Sequence, residues 1–142
     1  MQTATGPLSV IERLNDALNR HDLDALTACF APDYASEFPA HPDRAFRGHE
    51  QMRKNWTQIF GGVPDIAATL LRSVAAGDTA WGEWDWRGTR ADGAPFAMRG
   101  VTVLGVSDDQ ITWAHMYMEP VETSGTGSDA AIQRAAGSGA PI

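Results

Sequence analysis

Three segments in the first half of the chain repeat apolar residues every three or four positions, the spacing of amphipathic helices. In the first, Ser9 and Glu12 form a capping-box pattern ahead of an apolar stripe. In the second, Asp22 is placed to cap the helix start. The predicted helices span residues 7–22, 22–30 and 48–62.

Beyond residue 64 the period shortens to two, which predicts β-strands joined by short polar turns. A further short strand is predicted at 35–38, in a proline-rich segment between the second and third helices. The predicted long strands span residues 65–75, 79–90, 96–106 and 111–121. Helices followed by an antiparallel meander indicate an α+β fold in which the helices cover one face of the sheet.

Alternation along these strands separates an apolar face from a polar one. On the last strand, the two sets are Ala114, Met116 and Met118 against Trp113, His115, Tyr117 and Glu119. On the second long strand, they are Trp84 and Trp86 against Glu83, Asp85 and Arg87. The helices need an apolar surface to cover, so we expect the first set of each strand to face inward.

Length and charge narrow the class of protein. The 142 residues indicate one domain, and the net charge of −7 without a basic run argues against nucleic-acid and anionic-membrane partners. Cys29 is the only cysteine, so no intramolecular disulfide can form. We expect a cytoplasmic, bacterial protein, because the N-terminus has no secretory signal pattern and arginine strongly outnumbers lysine.

Residues 123–142 are rich in Gly, Ser and Ala, which predicts a flexible tail with room for one short helix at 129–136.

Several short patterns, taken in order, resemble the SnoaL-like branch of the nuclear transport factor 2-like superfamily. They are FAPDY, FRGHEQMRKNW, VPD, GEWDWRGT, MRGVTVLGVSDDQI and YMEP, within a domain over residues 8–122. The resemblance implies a cone-shaped fold with three N-terminal helices packed on a curved antiparallel sheet, and a pocket between them. It also implies a homodimer packed through the open, outer face of the sheet.

The catalytic acids of two groups of relatives have no counterpart here. The acid positions of ketosteroid isomerases match Phe38 and Thr102, and those of limonene-epoxide hydrolases match Trp86 and Met116, with Trp84 at the arginine position. These positions nevertheless indicate which side chains face the pocket. The predicted ligand-binding residues are Phe38, Trp56, Trp84, Trp86, Thr102, Met116 and Met118. Alternatively, the tryptophans and methionines fill a core.

Four residues are candidates for proton transfer, each with a plainer alternative. His115 with Glu119 could be a general base and its orienter, or an outer-face pair at a dimer interface. Glu37 could be a base with a raised pKa if it is buried, or a solvated loop carboxylate. Tyr34 could supply a hydroxyl to a carbonyl oxygen.

Two other groups of polar residues bear on ligand or metal binding. Arg44 could hold a carboxylate at the pocket entrance together with Arg47, or both could be solvated in a loop. The histidines match no metal-ligand spacing, so no metal site is predicted, and no cofactor is expected.

The resemblance and these candidates suggest a cofactor-independent acid–base enzyme of cyclase, isomerase or hydrolase type, acting on a hydrophobic carbonyl or polyketide-like substrate. The alternative is a non-catalytic module that binds a hydrophobic ligand in an apolar pocket. Both versions predict a homodimer through the outer face, which carries Glu83, Asp85, Arg87, His115 and Tyr117.

Overall fold

A computed structural model of the protein describes residues 6–137. The helices are α1 (Pro7–Asn19), α2 (Leu23–Ala28), α3 (His49–Gly62) and α4 (Ser128–Ala136). The strands are β1 (Phe30–Glu37), β2 (Phe46–Arg47), β3 (Ala67–Ala76), β4 (Thr79–Thr89), β5 (Pro95–Ser107) and β6 (Gln110–Pro120). A single 3-10 turn, Pro42–Arg44, lies between β1 and β2.

The strands form one curved six-stranded sheet in the order β2-β1-β6-β5-β4-β3. Strands β3 to β6 make the predicted antiparallel meander, while β1 pairs with β6 in parallel and with β2 antiparallel. Helices α1–α3 precede the meander, as predicted, and α4 is a fourth helix in the tail. The predicted α+β fold, with helices on one face of a curved sheet, is therefore confirmed.

The first two helix starts differ in how well the sequence predicted them. Helix α1 begins at Pro7 with Gly6 as its N-cap, so the prediction of a cap at Ser9 is wrong. Proline suits the first position of a helix because its fixed φ is helical. The N–H that it lacks would have no partner within the helix at that position. The cap at Asp22 is confirmed, since its side chain accepts a hydrogen bond from the Ala25 backbone N–H at 3.0 Å.

Strand β1 is longer than the strand predicted at 35–38, and it takes Phe30 from the end of the predicted second helix. The pairing of β1 with β6, which brings Phe30 opposite Ile111 and Glu37 opposite His115, accounts for the difference. Pairing with a strand about 80 residues further along the chain leaves no trace in the local periodicity of the sequence. The predicted second helix, 22–30, therefore ends too late and includes Phe30. Phe38 lies just beyond the strand.

The core lies between α1 and the inner face of the sheet. The buried stripe of α1 comprises Val10, Ile11, Leu14 and Leu18, and it packs with buried side chains of the sheet in one cluster. A polar clamp joins the end of α1 to β3, because the Asn19 amide bonds both the N–H and the carbonyl of Ala68, at 2.7 and 2.8 Å. Helix α1 therefore forms a fixed wall over the sheet.

The described part of the tail has little contact with this core. Helix α4 has no buried residue, and its Ile132 is exposed. Within residues 6–137, no helix has the length and apolar character that crossing a membrane requires.

Candidate functional site

A cavity of about 210 Å³ opens between the helices and the inner face of the sheet. Its walls come from α1 and α3, from β1 and the segment that follows it, and from the inward residues of β4, β5 and β6. The alternation of each strand brings only every second side chain to this surface. Most of the lining is aliphatic, aromatic or thioether.

The structure places all of the predicted ligand-binding residues on the cavity wall. They are Phe38, Trp56, Trp84, Trp86, Thr102, Met116 and Met118. Register explains why residues distant in sequence meet there: Trp84 lies opposite Gly100, Trp86 opposite Met98, and Thr102 opposite Met116. A ligand-binding role for these residues stays a prediction.

Aromatic rings form one side of the cavity. Trp86 contacts Trp56 edge-on with ring centroids 5.6 Å apart, and it contacts Trp84 in the same manner at 6.3 Å. On the other side, Tyr34 packs on Phe30 at 4.5 Å. Edge-to-face pairs at these distances are favourable, so the rings support one another in fixed orientations.

The polar groups of the cavity wall differ in whether they have a partner. The Trp84 indole N–H donates to the Thr102 hydroxyl at 2.9 Å, and both side chains are buried. In contrast, the indole N–H of Trp86 is buried without an acceptor in the described part of the chain. The Tyr34 hydroxyl likewise has no hydrogen-bond partner within residues 6–137. The Ser36 hydroxyl, also buried on this wall, has no partner within residues 6–137 either, so at least three donors are unused at this cavity.

Tyr34 is held as a neutral phenol. Burial disfavours the phenolate and raises the pKa of Tyr34 well above its ordinary value near 10. The residue is only 2% exposed. At neutral pH its hydroxyl is therefore available as a hydrogen-bond donor and not as a base.

The three other proton-transfer candidates lie away from the cavity, on the outer face of the sheet. Glu37 contacts His115 at 3.4 Å, and Glu119 contacts His41 at 2.6 Å. All four side chains are at least 37% exposed. His115 also packs against the Trp113 ring at 4.9 Å. The structure therefore pairs His115 with Glu37, and does not bring Glu37, His115 or Glu119 together with Tyr34.

The two arginines of the loop before α3 separate. Arg44 reaches the cavity, whereas Arg47 donates to the Asp33 carbonyl at 3.3 Å and is not part of the wall. Sequence reasoning missed Met98, Phe46 and Asn55, which also line the cavity. Met98 could have been predicted, because it lies four residues before Thr102 on the same strand and therefore on the same face. The positions of Phe46 and Asn55 depend on how α3 and the chain before it pack.

No group of three or more histidine, cysteine or acidic side chains within residues 6–137 is arranged to hold a metal ion. The outer-face pairs each combine only one imidazole with one carboxylate.

Comparisons with solved structures give the same fold. IdmH of Streptomyces antibioticus, provisionally described as a polyketide cyclase, is 26% identical with a TM-score of 0.71; the match covers 80% of this chain and 91% of that one. A Catenulispora acidiphila protein with a ketosteroid isomerase-like fold, solved with trimethylamine, is 21% identical over 78% of this chain and 85% of that one, with a TM-score of 0.69. AclR of Streptomyces galilaeus, provisionally described as a hydroxylase, is 15% identical over 78% and 77%, with a TM-score of 0.68.

No curated protein matches the chain. The family model described as "SnoaL-like domain" matches residues 11–114, which is well over half of the 142 residues. Most of α1, all of α2 and α3, strands β1 to β5 and most of the cavity wall fall within that match, whereas Met116, Met118 and α4 lie beyond it. The chain belongs to the SnoaL-like domain family.

Proposed function

We propose that the cavity binds a hydrophobic small molecule bearing a carbonyl oxygen, and that the protein acts on it without a cofactor. The observation that carries this proposal is the combination of an apolar wall with unpaired donors, among them the Tyr34 hydroxyl and the Trp86 indole N–H. The Trp86 N–H, which is buried without an acceptor, costs about 1–3 kcal/mol. A ligand oxygen within reach would recover part of that cost.

Donors at a carbonyl oxygen also assist chemistry. In a cyclisation or isomerisation that begins next to a carbonyl, negative charge grows on the oxygen as the neighbouring C–H proton passes to a base. No described residue on the cavity wall is a carboxylate or an imidazole, so the base in this proposal is a water molecule or a basic group of the ligand itself. Fixed donors in a water-poor site stabilise that charge more than they stabilise the uncharged substrate. In this role Tyr34 supplies a hydrogen-bond donor to the carbonyl oxygen and not the base, because its raised pKa keeps the proton on the phenol.

The similarity to IdmH supports an enzyme of cyclase type and a polyketide-like substrate. The family membership supports the same general class.

A second candidate is a binding or accessory module without chemistry. The observation that favours it is the absence of any carboxylate or imidazole among the described residues that line the cavity. A general base must lie within hydrogen-bond reach of the proton that it removes. Because Glu37, His115 and Glu119 lie on the opposite face, they do not meet this condition.

The test is to titrate the protein with a panel of hydrophobic ketones, following tryptophan fluorescence, and to search each mixture for product by mass spectrometry. The ligand that binds best is then compared between wild type and Tyr34→Phe. We expect affinity to fall about twofold to tenfold, the worth of one neutral hydrogen bond. Tyr117→Phe is the matched control, because Tyr117 is the only other tyrosine and lies on the outer face.

Product that forms with wild type and is lost in Tyr34→Phe would support the enzyme. Saturable binding with no product across the panel would support the accessory module. The absence of binding by every ketone, or equal losses in Tyr34→Phe and Tyr117→Phe, would contradict the assignment of the cavity.

We also propose that the outer face of the sheet pairs with a second copy of the chain. Three large apolar side chains are exposed on it, Val74 at 61%, Trp81 at 46% and Tyr117 at 42%. Val74 and Trp81 lie opposite each other on neighbouring strands, so their side chains form a continuous apolar surface.

A further inference from the structure

Arg44 differs from the other arginines in having no partner. The structure describes all ten arginines, and nine of them bond or ion-pair with an acceptor. Arg44 alone has neither a hydrogen bond nor an ion pair from its side chain to any described residue. It is also the only charged side chain among the described residues that line the apolar cavity.

The surroundings of Arg44 form a polar entrance to that cavity. A second hollow, of about 460 Å³, shares Phe38, Arg44, Phe46 and Asn55 with it. The Asn55 amide oxygen accepts from the Gln51 side chain at 2.8 Å, which leaves its NH₂ group free to donate. Asp43 also lines this hollow and makes no ion pair with Arg44.

The volumes indicate how a ligand would occupy the two spaces. The inner cavity, at about 210 Å³, is smaller than the range of about 300–1,000 Å³ that is typical of small-molecule pockets. It therefore has room for a compact apolar ring system, and any further part of a ligand must extend into the entrance. There it would meet the unpaired guanidinium of Arg44 and the free amide of Asn55.

We propose that the natural ligand is an amphipathic acid, with its apolar body in the inner cavity and a carboxylate held by Arg44 and Asn55. This inference rests on the proposed function, because it takes the cavity to be the ligand site. Arginine suits the role, since its planar fork donates two parallel hydrogen bonds to one carboxylate. The net charge of −7 disfavours anions in general, so a preference for the acid would be a local effect of Arg44.

The probes are naphthoate and naphthamide substituted at the same ring carbon, which have nearly equal shape but differ in charge. Their dissociation constants are measured by tryptophan fluorescence and calorimetry for wild type, Arg44→Gln and Arg47→Gln. We expect wild type to bind naphthoate about threefold to tenfold more tightly than naphthamide, which allows for the exposure of Arg44 to solvent.

In Arg44→Gln the preference should fall to about one, while the affinity for naphthamide stays within about twofold of wild type. Arg47→Gln should keep the full preference, because Arg47 donates to the Asp33 carbonyl and is not on the cavity wall. Arg44 ends the 3-10 turn and Arg47 lies in β2 three residues later, and both are exposed, so the two variants remove equal charge from the same region of the chain.

Equal binding of the two probes by wild type would overturn this inference but leave the proposed function standing, since an apolar body would still enter the cavity. Retention of the preference in Arg44→Gln would also overturn it. If neither probe binds, the proposed function fails together with this inference.

Discussion

The two faces of the sheet are made from alternate residues of the same strands, yet they differ in whether their polar side chains have hydrogen-bond or ion-pair partners. On the outer face, acids and bases pair: Glu83 contacts Arg72 at 2.9 Å, and Asp85 contacts Arg87 at 2.9 Å. On the inner face, the hydroxyl of Tyr34 and the indole N–H of Trp86 have no partner within residues 6–137.

This difference indicates which polar groups are already engaged with each other and which are available to a ligand. Exposed groups that already pair with each other have little left to offer a ligand, and each such pair contributes at most about 1 kcal/mol. An unpaired donor beside an apolar cavity is costly unless something binds to it. The residue types alone would favour the outer face as the reactive one, because His41, His115 and their partner acids lie there. The pairing pattern favours the inner face.

The largest expected effect comes from removing an inner ring. Trp84 is 1% exposed, packs in the core and donates to Thr102. Trp84→Ala should lower the free energy of unfolding by about 3–5 kcal/mol, because it leaves a large cavity beside an unpaired buried hydroxyl. Urea denaturation followed by circular dichroism measures the change.

Trp81→Ala is the control, because Trp81 is on the same strand but points outward and is 46% exposed. It should change the free energy of unfolding by about 0.5 kcal/mol or less when both proteins are compared as monomers. Comparable losses in the two variants would mean that the faces do not differ in packing as described.

The next effect concerns the outer face and the proposed pairing of two chains. Trp81→Glu places a charge at the centre of the apolar surface formed with Val74. Burying an unpaired carboxylate is unfavourable, so the dissociation constant of a dimer should rise by about tenfold or more. Sedimentation velocity over a range of protein concentrations measures it.

Ser73→Glu adds the same charge one residue from Val74, on the alternate side chain of β3, and should leave the association nearly unchanged. A wild-type protein that sediments as a monomer at micromolar concentration would remove the proposal altogether. So would a dimer that is insensitive to Trp81→Glu.

The sequence was sufficient to predict the fold and to predict which face of the sheet the helices cover. Strong alternation in β4, with Trp84 and Trp86 between charged neighbours, allows only one face to be covered by helices. Periodicity supplied the order of the elements, which the structure confirms. The resemblance of short motifs supplied the family, which the family match over residues 11–114 confirms. Local patterns also predicted the Asp22 cap correctly, because that interaction spans three residues.

What could not be predicted depends on contacts between residues far apart in the chain. The start of β1 at Phe30 follows from pairing with Ile111. The presence of Phe46 and Asn55 on the cavity wall, and the separation of Arg44 from Arg47, follow from how the chain before α3 packs against that helix. The sequence also could not show which donors lack an acceptor, since that is a property of the complete set of neighbours.

The smallest expected effect tests the outer pairs. Glu37→Gln and Glu119→Gln each remove one acid from an exposed pair with His115 or His41. Each should lower the free energy of unfolding by less than about 1 kcal/mol, because solvent screens these charges. Neither should alter the affinity for a cavity ligand, since both side chains lie on the far side of the sheet from Tyr34. Urea denaturation and the ketone titration measure the two quantities. A loss of affinity or turnover in Glu37→Gln as large as that in Tyr34→Phe would mean that the outer pair of Glu37 and His115, and not the inner cavity, carries the chemistry.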